Sequence, residues 1–246
     1  MAAKGEQPES RAGTAAEAGD ELLAQGVVRF MPGVHYSARE GYGRLTRPLE
    51  LASAVADPVV CIDIESLGFI GRPLFLIGAL HAAGREGCLT QYLARDYSEE
   101  EAVLRAFLDE AAATPLWITF NGRTFDLPFL ALRAAYFRLD PPRPGRHIDL
   151  LPVARRRWGA RLPDCRLQTL ERAICGRPPR RDDLPGGEIP TAYHAFVRTR
   201  EPWEMLRVLQ HNSDDLTTLL ALLRAAQADE ARSNSEGPAA ADKKNH

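Results

Sequence analysis

Long hydrophobic runs are absent from this sequence of 246 residues, although 45% of its residues are apolar. No apolar stretch approaches the roughly 18 residues that a membrane-spanning helix needs, so no membrane partner is predicted. The basic-then-apolar pattern of a secretory leader is also missing from the first residues. The sequence therefore predicts a cytoplasmic protein.

Cysteine is scarce and unpaired. The chain has four, Cys61, Cys88, Cys165 and Cys175, and no two of them form a C-x-x-C pair. This spacing argues against a cysteine zinc site, and in a reducing compartment the residues are expected to be free thiols.

An excess of positive charge is missing as well, since the formal net charge is −2. No global basic field therefore indicates a nucleic-acid partner. The local balance differs: between Arg143 and Arg181 there are eleven arginines against Asp149, Asp164 and Glu171. Arginine suits bidentate contact with phosphate, although solvated helix faces would also explain individual members of this cluster.

The chain is predicted to form one domain with disordered ends. Residues 1–22 and 229–246 are rich in small and charged residues and are predicted to be disordered. The domain is expected over residues 23–228, with its motifs in 57–226, and Gly26–Met31 is predicted to be a strand or a packed arm.

Hydrophobic patterning predicts an α/β fold. Helices are expected from a capping box at Ser98 and Glu101 to about Ala113, and over Phe125–Phe137 and Trp203–Ala226. Five strands are predicted, the second and third joined by a turn at residues 82–84: Val59–Ile64, Leu74–His81, Cys88–Leu93, Leu116–Phe120 and His147–Asp149. The expected architecture is a mixed five-stranded sheet, an antiparallel meander followed by parallel strands, flanked by helices.

Asp63-Ile64-Glu65 closes the first predicted strand. Alternate residues of a strand share a face, so Asp63 and Glu65 are expected side by side. Neighbouring carboxylates raise each other's pKa unless a cation neutralises them. A solvent-facing strand would produce the same pattern, so this motif alone is weak.

Asp126 follows the fourth predicted strand, near the start of a helix. Its carboxylate could cap free backbone N–H groups or face the strand that carries Asp63. Asn121 and Gly122 are typical of a turn, and Asn121 could alternatively contact a substrate.

His211 and Asp215 are four residues apart on the last predicted helix and therefore share a face. His211 could accept a proton from an attacking water, or the pair could belong to a polar surface. With Asp63, Glu65 and Asp126, Asp215 makes four carboxylates, enough for two Mg²⁺ or Mn²⁺ ions.

The order of these motifs resembles the DnaQ-like (DEDD) 3′–5′ exonuclease superfamily and, more closely, the YprB-like ribonuclease H-like domain family. The resemblance covers about residues 57–226. It includes the stretches HIDLLPVARRRW, LPDCRLQTLERAICG, RRDDLPGGEIPTAYHAFVRT and HNSDDLTTLLALL. His211 stands four positions before Asp215, where the tyrosine subclass has its Tyr, and the YprB-like pattern has this spacing.

The resemblance implies a ribonuclease H-like fold and a metal-dependent exonuclease that acts on DNA or RNA, at single strands or 3′ ends. It implies that Asp63, Glu65, Asp126 and Asp215 are metal ligands and that His211 is the general base or orients the water. Arg180 and Arg181, in an expected exposed loop over Arg177–Pro190, are candidate substrate contacts. Asn121 and Phe125 are further candidates, although Phe125 also fits a core position.

Two other interpretations stay open. A domain of this fold could bind nucleic acid with little or no cleavage, in which case divalent ions should not stabilise it. The acids could also be helix caps and surface charges of a structural domain, in which case the four carboxylates should lie far apart.

Overall fold

The computed structural model describes residues 15–235. The helices are α1 (Ala15–Phe30), α2 (Glu100–Ala111), α3 (Asp126–Tyr136), α4 (Leu150–Trp158), α5 (Leu167–Ala173), α6 (Ile189–Thr199) and α7 (Trp203–Ser235). The strands are β1 (His35–Arg39), β2 (Tyr42–Ser66), β3 (Leu74–Leu93), β4 (Leu116–Thr119) and β5 (Arg146–Asp149). Single 3₁₀ turns occur at Gly159–Arg161 and Gly186–Glu188.

The sheet is organised around the long strand β2. Strand β3 pairs antiparallel with it along most of its length, and β1 pairs antiparallel with its first residues. Strand β4 runs parallel to the end of β2 and β5 runs parallel to β4. The predicted mixed five-stranded sheet, antiparallel first and parallel afterwards, is confirmed.

Alternation along β2 divides the core between two faces of the sheet. Val60, Ile62 and Ile64 belong to one buried cluster, which includes residues of α1, α2, α3 and α6. Val59 and Cys61 belong to the other cluster, with residues of α4, α5 and the middle of α7. Asp63 and Glu65 continue the second set, so they face α7.

The prediction of separate strands at Leu74–His81 and Cys88–Leu93 was wrong. These residues form one continuous strand, and the expected turn at residues 82–84 is an irregularity in the pairing with β2. Gly84 has a positive φ of 57°, which explains the turn-like composition. Strand β1 and the first half of β2 were not predicted.

Helix α1 corrects the prediction for the N-terminal segment. Residues 15–22, expected to be disordered, begin this helix, and Gly26–Phe30 is the end of the helix, so the segment Gly26–Met31 forms no strand. Leu23, Val27 and Met31 are spaced by four and buried in the core, so their burial stabilises the helix. Residues 1–14 lie outside the described part of the chain.

Two helix ends also differ from expectation. The capping box at Ser98 and Glu101 does not form, because Ser98 bonds to Asp96 Oδ1 and Glu99 takes the N-cap position. Helix α7 continues through residues 229–235, part of the predicted disordered tail, and residues 236–246 are not described. Within residues 15–235 no helix is long and apolar enough to span a membrane.

Candidate active site

The sheet brings the predicted acidic motifs to one edge. Strands β2, β4 and β5 are parallel to one another, so their carboxyl ends lie together. Asp63 and Glu65 lie at the end of β2, Asp126 opens α3 after β4, and Asp149 ends β5. Helix α7 packs against β2 and β3, on the face toward which Asp63 and Glu65 point, and it supplies His211 and Asp215.

Asp126 is held directly against the strand that carries Asp63 and Glu65. The side chain is buried, and the backbone N–H groups of Asp126 itself and of Ile64 lower the pKa of its carboxyl against the effect of that burial. Burial is the main cause that raises the Asp126 pKa to about 7, with further increases from the charges of Asp149 and Asp215. This side chain does more than cap the helix, since it contacts the backbone between the two acids of β2.

Asn212 joins α7 to Asp63. Its Nδ2 donates to Asp63 Oδ2 at 2.8 Å and to the Asp63 carbonyl at 3.2 Å, and its Oδ1 accepts from Gln91 Nε2 at 2.8 Å. Gly78 on β3 makes room for this amide, because a Cβ at that position would lie 2.1 Å from Asn212 Oδ1. Asn212 was not identified from the sequence as a site residue, although it lies directly beside His211.

The electrostatics show that the four carboxylates share one environment. The pKa values of Asp63 and Glu65 are raised well above their usual range, first by burial and then by the charge of Asp215. Asp126 also raises both pKa values, and burial raises that of Asp215. The interpretation of these acids as scattered caps and surface charges therefore does not fit the structure.

The carboxylates do not form a finished coordination shell. Within residues 15–235, no group of three or more His, Cys, Asp or Glu side chains is arranged so that it could hold a metal ion as it stands. The burial and mutual repulsion of four hard oxygen donors nevertheless suit a divalent cation, which would lower all of the raised pKa values together.

Arg180 supplies positive charge beside this cluster. Its Nη2 lies 2.6 Å from Asp215 Oδ1 and its Nε donates to Glu171 Oε2 at 2.7 Å. Its side chain is only 7% exposed. The expectation that Arg180 lies in an exposed loop is wrong, because two carboxylates draw it inward and Leu184 of the same segment is buried.

Asp183 contacts His211 and was not identified from the sequence. Its Oδ1 lies 2.8 Å from His211 Nδ1, and its Oδ2 accepts from Gln168 Nε2 at 2.6 Å. The other ring nitrogen, His211 Nε2, is 3.5 Å from Asp215 Oδ2. The only signal was an acidic pair, Asp182-Asp183, directly after the arginine-rich stretch, and no spacing rule connects it to His211.

Asn121 and Phe125 occupy structural positions. Asn121 adopts a positive φ of 64°, and its Oδ1 accepts from the Thr124 hydroxyl, as in a turn. Asp149 holds this turn by accepting the backbone N–H groups of Asn121 and Arg123, and it also caps α4 at Leu151. Phe125 packs on the core beside Phe129, so neither residue needs a substrate to explain its position.

A cleft adjoins the acidic cluster. It has a volume of about 620 Å³, and Asp183 and His211 form part of its wall. The exposed Phe30 and Trp203 lie on it with ring centroids 4.5 Å apart, and Arg181 and Arg207 also line it. Arg181 is exposed, unlike Arg180, so it can contact a molecule in this cleft.

This fold and site define the class of protein. The RNase_H_2 profile of the RNase H superfamily matches residues 60–227, and the chain belongs to this superfamily. The matched region begins in β2 and ends in α7, so it includes all four carboxylates and His211.

The chain resembles one curated protein in particular. It is 35% identical over 167 residues to the "Uncharacterized protein YprB" of Bacillus subtilis (strain 168), which supports a YprB-like RNase H-like domain. The match covers 65% of this chain and 40% of that protein, so the chain spans less than half of its relative's length.

A solved structure supports the fold. The family B DNA polymerase from the hyperthermophilic archaeon Pyrobaculum calidifontis matches with a TM-score of 0.54. The match covers 84% of this chain and 30% of the polymerase chain, at 16% identity. At that identity the likeness concerns the fold alone.

Proposed function

We propose that this protein is a metal-dependent 3′–5′ exonuclease that hydrolyses phosphodiester bonds in nucleic acid. The observation that carries the proposal is the convergence of Asp63, Glu65, Asp126 and Asp215 in a buried site, where burial and the charge of Asp215 raise the pKa values of the other three acids. Concentrating negative charge in this way is costly without a cation. Membership of the RNase H superfamily supports the same reading.

The donor set suits Mg²⁺ or Mn²⁺. Both ions prefer oxygen ligands, and Asp63, Glu65, Asp126 and Asp215 would hold two of them. When bound, a pair of such ions stabilises the charge on the attacking and leaving oxygens of a phosphodiester. Asn212 keeps the Asp63 carboxylate aimed at the site through its 2.8 Å hydrogen bond.

His211 is the proposed proton acceptor. Its Nε2 lies on the side of Asp215, whereas its Nδ1 is occupied by Asp183. An imidazole in this position can accept the proton of a water that attacks the phosphorus atom. This role agrees with the four-residue spacing, which places His211 and Asp215 on one face of α7.

The cleft beside His211 is the proposed path of the nucleic-acid strand. Aromatic side chains such as Phe30 and Trp203 can stack on unpaired bases, and an exposed guanidinium such as Arg181 can contact phosphate. Both features favour a single-stranded end over an intact duplex. Of the two candidate arginines, only Arg181 is proposed to contact the substrate, because Arg180 already contacts Glu171 and Asp215.

The test is hydrolysis of 5′-labelled DNA and RNA strands by the purified chain with Mg²⁺ or Mn²⁺. Products should shorten stepwise from the 3′ end, and a circular single strand should stay intact. Asp63→Asn should reduce hydrolysis to background, because it removes one charged ligand while keeping an acceptor for Asn212. The control is Glu188→Gln, an exposed carboxylate elsewhere in the chain, which should match the wild type.

Cleavage of circles would replace the exonuclease assignment with endonuclease action. Equal activity of wild type and Asp63→Asn would indicate a contaminating nuclease. If a broad panel of DNA and RNA stays intact with both ions, the enzymatic proposal is wrong.

One observation favours a second candidate function, a nucleic-acid-binding module with little or no activity. Arg180 already lies 2.6 Å from Asp215, so a guanidinium partly neutralises the site. Titration with Mn²⁺ separates the two functions, because a ligand that binds only the folded state raises its melting temperature. A melting temperature that does not respond to Mn²⁺, together with retained oligonucleotide binding, would support the module.

A further inference from the structure

We propose that Asp183 is a positioning residue that fixes the tautomer and orientation of His211, so that Nε2 faces the carboxylates free of hydrogen. This proposal rests on the proposed function for its catalytic meaning. It assigns a role to a residue 28 positions away from His211 in the sequence.

The contact itself determines the tautomer. Asp183 Oδ1 lies 2.8 Å from His211 Nδ1, and an ionised carboxylate can only accept a hydrogen bond. The ring nitrogen at this contact must therefore carry the hydrogen. In the neutral imidazole the second nitrogen, Nε2, is then an acceptor.

Asp183 is itself held on several sides. Its Oδ2 accepts from Gln168 Nε2 at 2.6 Å, which ties it to α5, and Arg180 Nη1 lies 4.0 Å from the same oxygen. The next residue, Leu184, is 2% exposed and anchors the segment in the core. With both oxygens engaged, Asp183 is placed to hold the ring rather than to rotate toward a substrate.

The opposite edge of the ring faces the site. His211 Nε2 lies 3.5 Å from Asp215 Oδ2, a separation longer than a hydrogen bond. A carboxylate that orients a histidine from behind and leaves the other nitrogen free is a recurring arrangement in general-base catalysis. His211 at the four-residue spacing thus obtains its orientation from the segment before α6, not from α7 alone.

The tautomer is measured by two-bond ¹H–¹⁵N correlation spectra of the ¹⁵N-histidine-labelled chain, with His211→Gln to assign the signal. The wild type should show hydrogen on Nδ1 of His211, and Asp183→Ala should shift the population toward Nε2–H. Reading the wild-type tautomer needs neither an Asp183 variant nor a substrate, so it remains decisive if Asp183→Ala does not fold and if the nuclease proposal fails.

Kinetics supply the second readout. Asp183→Asn should lower kcat by about 10- to 100-fold, the usual effect of removing an orienting partner, with KM changed by less than about twofold. Glu188→Gln, an exposed carboxylate in the following turn, should leave both constants unchanged. A wild-type Nε2–H tautomer, or an Asp183→Asn variant with wild-type kcat on a demonstrated substrate, would overturn the proposal.

Discussion

At the scale of single residues, ionisation of the buried carboxyl groups is unfavourable in the folded protein. Burial and neighbouring acids raise the pKa values of Asp63 and Glu65 well above normal, and that of Asp126 to about 7. A folded state with raised carboxyl pKa values binds protons more tightly than the unfolded chain does. The stability that this binding provides is present below about pH 4, the usual carboxyl range, and is lost as the pH rises through 7.

Asp126→Asn should therefore raise the stability of the metal-free protein at pH 8, since it removes a buried charge near Asp149 and Asp215. Its melting temperature in EDTA should also fall less than that of the wild type between pH 4 and pH 8. With Mn²⁺ the order should reverse, because the variant lacks one of the proposed metal ligands. Melting curves at several pH values measure all three effects. A variant that is less stable than wild type at pH 8 without metal would contradict the argument.

The sequence predicted which of these acidic and histidine side chains share a face, but not the residues that contact them. Strand alternation and helix spacing are local rules, and they correctly grouped Asp63 with Glu65 and His211 with Asp215 on shared faces. Asp183, Asn212 and Gln91 belong to the same site through contacts across 28 to 149 positions of chain. No periodicity encodes such contacts, so they required the fold.

At the scale of elements, the acidic site depends on the close approach of α7 to the sheet. Asn212, which is completely buried, reaches Asp63 from α7 over a position on β3 that carries no side chain. A Cβ at Gly78 would lie 2.1 Å from Asn212 Oδ1 and 2.7 Å from Leu216 Cδ1. Glycine here serves the packing of a helix on a strand rather than a turn.

Gly78→Ala should consequently displace α7 and weaken the site. We expect a loss of about 1–3 kcal/mol in unfolding free energy, the usual cost of overpacking, and reduced stabilisation by Mn²⁺. Urea denaturation and thermal shifts measure the two effects. Gly187→Ala is the matched control, because a Cβ there meets nothing within 4 Å. Equal effects of the two substitutions would show that the approach of Asn212 is not limiting.

A buried ion pair joins α2, α3 and β3. Arg133 of α3 forms two 2.6 Å hydrogen bonds to Glu100 of α2, and Glu100 also accepts the backbone N–H of Leu74 on β3. The side chains of the pair are 8% and 3% exposed. The neighbouring pair of Glu101 and Arg105 is solvent-exposed and lies within α2 alone.

Glu100→Gln should cost about 3–5 kcal/mol, because it leaves the buried guanidinium of Arg133 without its counter-charge. Glu101→Gln, one residue away, should cost no more than about 0.5 kcal/mol, as is typical of an exposed pair on a helix. Chemical denaturation of both variants provides the measurement. Similar losses would mean that the ion pair contributes little to the docking of α2 and α3.

The strand errors have a physical reason at the same scale. Ala82-Ala83-Gly84 has the composition of a turn, and Gly84 does adopt a positive φ. Strand β3 continues through this segment because β2 is the longer strand, with 25 residues against 20, and supplies pairing partners on both sides of the irregularity, from Glu50–Glu86 to Val59–Ala82. The partner strand, not the local sequence, decides between a turn and a bulge.

At the scale of the whole molecule, helix α1 belongs to the same core as the sheet. Leu23 and Val27 are completely buried in the cluster that contains Ile62, Phe75 and Met205. Asp20 adds an ion pair to Arg95 at 2.6 Å and accepts the hydroxyl of Tyr36. Since α1 begins at Ala15, the folded unit starts before residue 23, where the sequence placed its boundary.

This integration predicts that α1 unfolds together with the rest of the molecule. Leu23→Ala should lower the unfolding free energy by about 2–5 kcal/mol, since the side chain is fully buried. Leu22→Ala, at a side chain that is 43% exposed on the same helix, should cost far less. Circular dichroism and tryptophan fluorescence should report one coincident transition for each variant. A separate early transition, or a small effect of Leu23→Ala, would show instead that α1 is an appendage, and the cleft formed by Phe30 and Trp203 would then lose one of its walls without loss of the RNase H-like core.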